Sequence, residues 1–120
     1  MAFAARIMVL KDKLLDQENV IFDEETESCC VRLSNGSEAN WEKWELERAR
    51  SISADLDTSV ALVYVECFGG LCDHWARIYT SGQEIRRFEE HPSLTEIFSE
   101  LGVILPGDGY YAPLASMRRY

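Results

Sequence analysis

Three side chains capable of metal binding or nucleophilic chemistry lie between positions 67 and 74 of this chain. Cys67, Cys72 and His74 form a C-x4-C-x-H pattern, and thiolate and imidazole groups are common zinc ligands. The spacing matches no standard zinc pattern, and a fourth ligand would have to come from elsewhere: His91, Cys29 or Cys30. A cysteine nucleophile activated by His74 is a second hypothesis. We favour a third, in which the cysteines are small core residues with free thiols, and we predict no cofactor.

Two carboxylates occupy the same stretch. If the Gly-Gly pair at 69–70 forms a two-residue hairpin turn, Glu66 lies directly opposite Asp73. Like charges so placed destabilise a sheet, which is typical of an acidic site that awaits a cation or the Arg or Lys of a partner. A different register would separate the carboxylates and remove that site. The same turn places Cys67 opposite Cys72, where a disulfide could form in an oxidising compartment.

The residues on either side of the turn predict the β-hairpin that would carry these groups. Residues 60–68 and 71–79 are rich in β-branched and aromatic side chains, as strands are. Alternation assigns one face to the core: Ala61, Val63, Val65, Cys67, Cys72, Ala76 and Ile78, with His74 as its polar member. It assigns the other face to a surface that is at most partly buried: Leu62, Tyr64, Glu66, Phe68, Asp73, Trp75, Arg77 and Tyr79.

The whole chain is predicted to form one α+β domain, residues 1–120, built on an antiparallel sheet. The hairpin and a third strand form a central three-stranded meander. In this meander Ile78 is expected to lie opposite Ile85, and Trp75 opposite Phe88. Strands are expected near five ranges: 4–11, 28–33, 60–68, 73–80 and 84–88.

Two helices complete the predicted fold. Apolar residues at helical spacing predict one long helix over residues 38–54, packed on one face of the sheet. Trp41 and Trp44 are expected to point into the core, the alternative being an exposed aromatic pair at an interface. A short C-terminal helix is predicted over residues 93–101, because Ser93 begins an S-x-x-E capping box.

The charge balance bounds the class of partner. The chain carries 21 acidic and 12 basic residues, for a net charge of -9. Nucleic acid and anionic membranes are therefore not expected as partners, because both require a basic patch, whereas a basic protein is the natural complement. Acidity that serves only solubility is the alternative. Six acidic residues fall between positions 16 and 27, forming either a surface for a basic partner or a solvated loop: Asp16, Glu18, Asp23, Glu24, Glu25 and Glu27.

Targeting signals and cysteine usage predict a cytoplasmic location. The apolar N-terminal stretch, residues 1–10, is too short for a signal peptide and is followed by no cleavage pattern. No apolar run reaches transmembrane length. The four cysteines include no C-x-x-C pair, which favours free thiols in a reducing compartment over a disulfide framework.

The general character of the chain resembles the immunity proteins of bacterial toxin systems. The shared features are small size, strong acidity, an α+β layout, no catalytic motif and cysteines of the cytosolic kind. The resemblance covers the whole chain and involves no diagnostic motif, so it assigns a role to no individual residue. It implies a non-catalytic protein that binds a basic toxin domain, often a nuclease, and masks its active surface.

These observations define the predicted partner-binding residues and two alternative functions. The predicted contacts combine the acidic segment with the outer face of the hairpin: Asp16, Glu18, Asp23, Glu24, Glu25, Glu27, Tyr64, Glu66, Asp73 and Trp75. One alternative is a small metal- or thiol-dependent enzyme that uses Cys67, Cys72 and His74. The other is a structural subunit that forms a homodimer through the aromatic outer face of the sheet.

Overall fold

The structure, a computed structural model, describes residues 3–11, 20–34, 41–69, 71–90, 92–107 and 109–117. Within these ranges lie six strands: β1 (Phe3–Leu10), β2 (Val20–Asp23), β3 (Ser28–Ser34), β4 (Ser59–Phe68), β5 (Leu71–Thr80) and β6 (Gln83–Phe88). Three helices accompany them: α1 (Lys43–Asp55), α2 (Leu94–Ser99) and α3 (Ala112–Met117). The strands form one antiparallel sheet of order β2-β3-β1-β4-β5-β6, which confirms the α+β class.

The predicted three-stranded meander is present, but it is not central. Strands β4, β5 and β6 form one half of the sheet, and β1 joins them to β3 and β2. Strand β2 was not predicted, because Val20, Ile21 and Phe22 form too short an apolar run to distinguish a strand from a buried loop. Helix α3 was not predicted either, because Pro113 and the preceding turn residues favour an irregular segment, although proline is tolerated in a first helical turn.

Helices lie on both faces of the sheet, so there are two cores. On the α2–α3 face, side chains such as Val63 and Ile78 pack under Ile97 and Phe98 of α2 and Leu114 of α3. This is the face that alternation assigned to the core. The opposite face, the α1 face, was expected to be at most partly buried. That expectation is wrong where α1 covers the sheet, because Leu62, Tyr64 and Tyr79 are all fully buried there.

The register of the β4–β5 hairpin is as predicted over its whole length. Ten residue pairs run from Ser59 opposite Thr80 to Phe68 opposite Leu71. The β5–β6 register is not as predicted: the turn is correct, but a bulge between Ile78 and Tyr79 shifts the pairing. Ile85 is consequently 54% exposed, and Phe88 lies opposite Ala76 on the α2–α3 face.

Helix α1 begins later than predicted, and three of the apolar residues that predicted it, Trp41, Ala49 and Ile52, pack against the core on the α1 face. The N-cap of α1 is Glu42, whose capping box with Glu45 satisfies the first backbone N–H groups. Trp44 is therefore turned outward and is 43% exposed, contrary to its predicted core position. Small residues also face the sheet, and the Ser53 hydroxyl accepts a hydrogen bond from the Gly82 backbone N–H at 3.0 Å.

The predicted cap at the start of α2 is present in its Ser93 half, and it gives a stability prediction. The Ser93 hydroxyl accepts the Glu96 N–H at 3.1 Å. Ser93→Ala should therefore lower the free energy of unfolding by about 1 kcal/mol, measured as a lower urea midpoint. Ser93→Asp should retain most of that stability, since its carboxylate accepts the same bond. Equal losses in both variants would show that the cap is not the cause.

Candidate functional site

The tip of the β4–β5 hairpin exposes two large apolar side chains. Phe68 is 75% exposed and Leu71 is 81% exposed, and the two residues lie directly opposite each other across the turn. Gly69 adopts a φ of 61°, a left-handed conformation that glycine takes at no steric cost. Both side chains belong to the α1 face, at the end of the sheet that α1 does not reach.

Two carboxylates lie next to this apolar pair on the same face, two residues further from the turn along each strand. Glu66 and Asp73 are exposed and occupy directly opposite positions on β4 and β5, as predicted. The Tyr64 hydroxyl donates a hydrogen bond to Glu66 Oε2 at 2.8 Å, which fixes that carboxylate in place. Because the two carboxylates occupy opposite positions, a cation placed between them would interact favourably with both.

An aromatic pair occupies the next opposing positions on this face, further from the turn than the two carboxylates. The rings of Tyr64 and Trp75 lie 5.3 Å apart between centroids. Tyr64 is only 1% exposed, so among the predicted contact residues it positions Glu66 and is not itself accessible to a partner. Trp75 is only partly buried. On the other side of β4, Phe3 of β1 pairs with Cys67, so the hairpin is braced almost to its tip.

A disulfide joins Cys67 to Cys72, which corrects the expectation of free thiols at these positions. The two residues are directly opposite in the hairpin, with Cα atoms 4.0 Å apart, as at a non-hydrogen-bonded pair of an antiparallel ladder. The expectation failed because it depended on a reducing compartment, which the sequence does not fix. The covalent link lies one residue behind the exposed pair Phe68 and Leu71.

A cleft of about 470 Å³ lies on the α2–α3 face of the same hairpin end. Both bridged cysteines, His74 and Tyr110 line it, and Tyr110 is 52% exposed. His74 Nδ1 lies 3.2 Å from the Pro92 carbonyl oxygen, to which it donates when the ring is neutral. Burial lowers the pKa of His74, so the ring is neutral at pH 7.

The zinc hypothesis finds no support at this end of the sheet. Within the part of the chain that the structure describes, no three His, Cys, Asp or Glu side chains are grouped to hold a metal ion. The sulfurs of Cys67 and Cys72 are bonded to each other. Burial raises the pKa of Cys30 to about 12, which keeps this thiol protonated and unsuitable as a ligand or nucleophile. His91 lies outside the described residues.

The second predicted group of acidic residues lies elsewhere. Glu24, Glu25 and Glu27 are exposed in the turn between β2 and β3, while Asp23 accepts a hydrogen bond from the Thr26 hydroxyl at 2.6 Å. This turn lies at the opposite end of the sheet from the hairpin tip, because the residues after it pair with the C-terminal end of β1. Roughly 25 Å of β1 separates the two ends. The remaining predicted contacts, Asp16 and Glu18, fall outside the described residues.

Sequence reasoning missed two features that matter at this site. The first is the exposed pair Phe68 and Leu71, although large apolar residues on both sides of a two-residue turn are a usable signal. The second is a buried ion pair below the aromatic residues, in which Arg6 Nε lies 3.9 Å from Glu45 Oε1. Arg6 also lies over the ring of Trp41, at 5.8 Å from the centroid.

None of the described helices is long and apolar enough to cross a membrane.

Comparison with known proteins adds no family to this description. No family model matches the chain, and no curated protein or solved structure shows significant similarity to it.

Proposed function

We propose that this domain is a non-catalytic protein-binding module that recognises a basic protein through the tip of its β4–β5 hairpin. Phe68 and Leu71 would enter an apolar depression on the partner, and Glu66 and Asp73 would pair with its Lys or Arg side chains. The observation that carries the proposal is the exposure of this apolar pair directly beside two opposing carboxylates.

The apolar pair has the properties of an interface anchor. A contiguous exposed apolar surface on a small domain commonly marks a binding site, and aromatic side chains dominate binding energy at such sites. The hairpin is braced by β1, by the disulfide and by the Tyr64–Trp75 contact. A braced hairpin loses little conformational freedom on binding, so more of the contact energy appears as affinity.

The charges favour a cationic partner. The chain has a net charge of -9, which speeds its encounter with a basic protein. Glu66 and Asp73 lie directly opposite each other, so one Lys or Arg placed between them would make an attractive contact with each carboxylate. Tyr64 holds Glu66 in place before the partner arrives, so little reorganisation is required.

The physiological role most consistent with these properties is that of an immunity or inhibitor protein in a bacterial cytoplasm. A toxin domain that binds nucleic acid must carry a basic surface. An acidic hairpin inserted into that surface would mask it without any chemical step. This role is inferred from the charge of the domain and the exposure of its hairpin tip, and a cytoplasmic location is compatible with the Cys67–Cys72 disulfide only if that bridge is transient.

Affinity capture with matched variants tests the proposal. Wild-type protein should retain a basic protein from the native cell at low salt and release it with a salt step, because exposed charge contacts are screened. Glu66→Gln with Asp73→Asn should weaken binding by roughly tenfold or more and flatten its salt dependence.

The control variants carry the same loss of charge elsewhere. Glu24→Gln with Glu25→Gln, in the β2–β3 turn, should leave retention of the basic protein unchanged. Glu47→Gln, on the exposed side of α1, removes one charge and is the control for Glu66→Gln alone. If the turn variants abolish capture and the hairpin variants do not, the hairpin is not the binding site. Light scattering of each variant checks that self-association through the same tip does not account for the result.

A further inference from the structure

We infer that the Cys67–Cys72 disulfide is a thiol–disulfide exchange site, which small thiols reach through the cleft on the α2–α3 face, with His74 as the base. This inference does not depend on the proposed protein-binding function, since it concerns the opposite face of the hairpin. The ligand class is a low-molecular-weight thiol or its disulfide.

The cleft gives access to the bridge. Its volume of about 470 Å³ is sufficient for a small peptide thiol, and both cysteines contribute to its wall. The two sulfurs are not equally accessible: Cys67 is 2% exposed, whereas Cys72 is only partly buried. An incoming thiolate would therefore attack Cys72 and displace Cys67.

His74 lines the same cleft and is prepared to accept a proton. Because Nδ1–H is engaged with the Pro92 carbonyl oxygen, the unprotonated nitrogen of the neutral ring is Nε2. The burial that lowers the pKa of His74 keeps the ring neutral at pH 7. A neutral imidazole lining the cleft can therefore assist as a general base while the thiol attacks, and because its lowered pKa disfavours the imidazolium, it passes the proton on to the departing Cys67 sulfur.

Complete reduction of the Cys67–Cys72 bridge consumes two molecules of the small thiol. The first loses its proton to His74, its sulfur bonds to the Cys72 sulfur, and the bond between Cys72 and Cys67 breaks. The Cys67 sulfur leaves with the electron pair and takes the proton. The second thiol attacks the small-molecule sulfur of the mixed disulfide, which releases Cys72 as a thiol. The small thiol is oxidised to its disulfide, and the protein is reduced to a dithiol.

The fold is expected to survive reduction, which makes the exchange reversible. The bridge closes a short loop with a sequence separation of 5, so it removes little entropy from the unfolded chain. The two strands are held together independently by ten residue pairs, and β1 pairs with β4 up to Cys67. The change is therefore confined to the end of the hairpin.

Incubation of the folded domain with reduced and oxidised glutathione tests the inference. Thiols are trapped with an alkylating agent at intervals and assigned by peptide mass spectrometry, while circular dichroism reports the fold. We expect reversible conversion of Cys67 and Cys72 with no change in circular dichroism. Cys29 and Cys30, which are fully buried, should remain unmodified and serve as an internal control. A bridge that is reduced only after unfolding would be purely structural and would overturn the inference.

Single-cysteine variants test which sulfur is attacked. Cys67→Ser leaves Cys72 as a free thiol facing the cleft, and oxidised glutathione should modify it severalfold faster than it modifies Cys67 in Cys72→Ser. Equal rates would contradict attack at Cys72.

The role of His74 has a distinct signature in the pH profile. His74→Gln should slow native-state reduction by about tenfold at pH 7. The deficit should disappear as the pH rises above about 8.5, where the small thiol is ionised without a base. A deficit that is the same at every pH would indicate a structural effect of the substitution, and an unchanged rate at pH 7 would remove His74 from the exchange.

Discussion

Phe68→Ser combined with Leu71→Ser is expected to weaken binding of the basic partner by more than about 30-fold, with no loss of stability in the free domain. The two side chains are 75% and 81% exposed, so the folded domain gains little from them. An aromatic anchor at the centre of an interface typically contributes at least about 2 kcal/mol, which corresponds to this factor. Isothermal titration calorimetry with the captured partner measures the affinity, and urea unfolding measures the stability.

A matched variant separates this effect from a general change in surface hydrophobicity. Ile104 is 89% exposed in the segment that follows α2, so Ile104→Ser removes a comparable apolar side chain away from the tip. It should leave the affinity unchanged. If all three substitutions reduce binding equally, or if the tip variant binds like wild type, Phe68 and Leu71 do not anchor the complex.

The loss of affinity in the Phe68→Ser, Leu71→Ser variant should appear mainly as faster dissociation of the complex. Removal of an apolar anchor shortens the lifetime of a complex, whereas removal of an exposed charge chiefly slows association. Stopped-flow mixing of the partner with the tip variant and with Glu66→Gln should show these two different changes. A tip variant with a slower association and an unchanged dissociation would argue against an apolar contact.

The part of the site that could be predicted is the part determined by local turn geometry. A two-residue Gly-Gly turn leaves one register for the strands that it joins, so the opposition of Glu66 and Asp73 follows directly from the sequence. The same reasoning gave the wrong register for β5 and β6, which the next turn joins. A bulge near Ile85 reverses the alternation beyond it, and nothing in the residue types there distinguishes a bulge from a regular strand.

The features that could not be predicted depend on residues far apart in the chain. Exposure of Phe68 and Leu71 depends on which elements stop short of the hairpin tip. The disulfide depends on the redox compartment as well as on the register. Glu45 lies in a helix that alternates charged and apolar residues, and a charged residue in such a pattern is normally expected to face solvent. Its burial is explained by Arg6, which β1 places beneath the helix, together with the Glu42 N–H that its carboxylate accepts.

The buried Arg6–Glu45 pair gives the second prediction, and its expected effect on stability is the largest. Glu45 is fully buried and Arg6 is 5% exposed. Glu45→Ala should lower the free energy of unfolding by about 3–5 kcal/mol, because it leaves a buried guanidinium charge without its carboxylate. It also removes the acceptor of the Glu42 N–H, a bond of 2.9 Å that begins α1. Urea unfolding followed by tryptophan fluorescence measures the loss.

The pair itself need not be strongly stabilising, and a double variant tests this. Glu45 Oε2 has no hydrogen-bond partner among the described residues, so the pair is only partly compensated for its desolvation. Arg6→Met with Glu45→Met should therefore be much more stable than either single variant. The two single losses should exceed the double loss by several kcal/mol. Additive losses would show that the two charges do not interact.

The same cluster connects the core to the candidate site. Arg6 lies opposite Tyr64 in the β1–β4 ladder, and Tyr64 positions Glu66. If the ion pair serves only the fold, the Met-Met variant should bind the basic partner with wild-type affinity. If it also fixes the orientation of Tyr64, affinity should fall while stability is retained, and Tyr64→Phe should produce a similar fall by removing the hydroxyl that holds Glu66. Parallel measurement of binding and unfolding in these two variants distinguishes a support for the sheet from a support for the site.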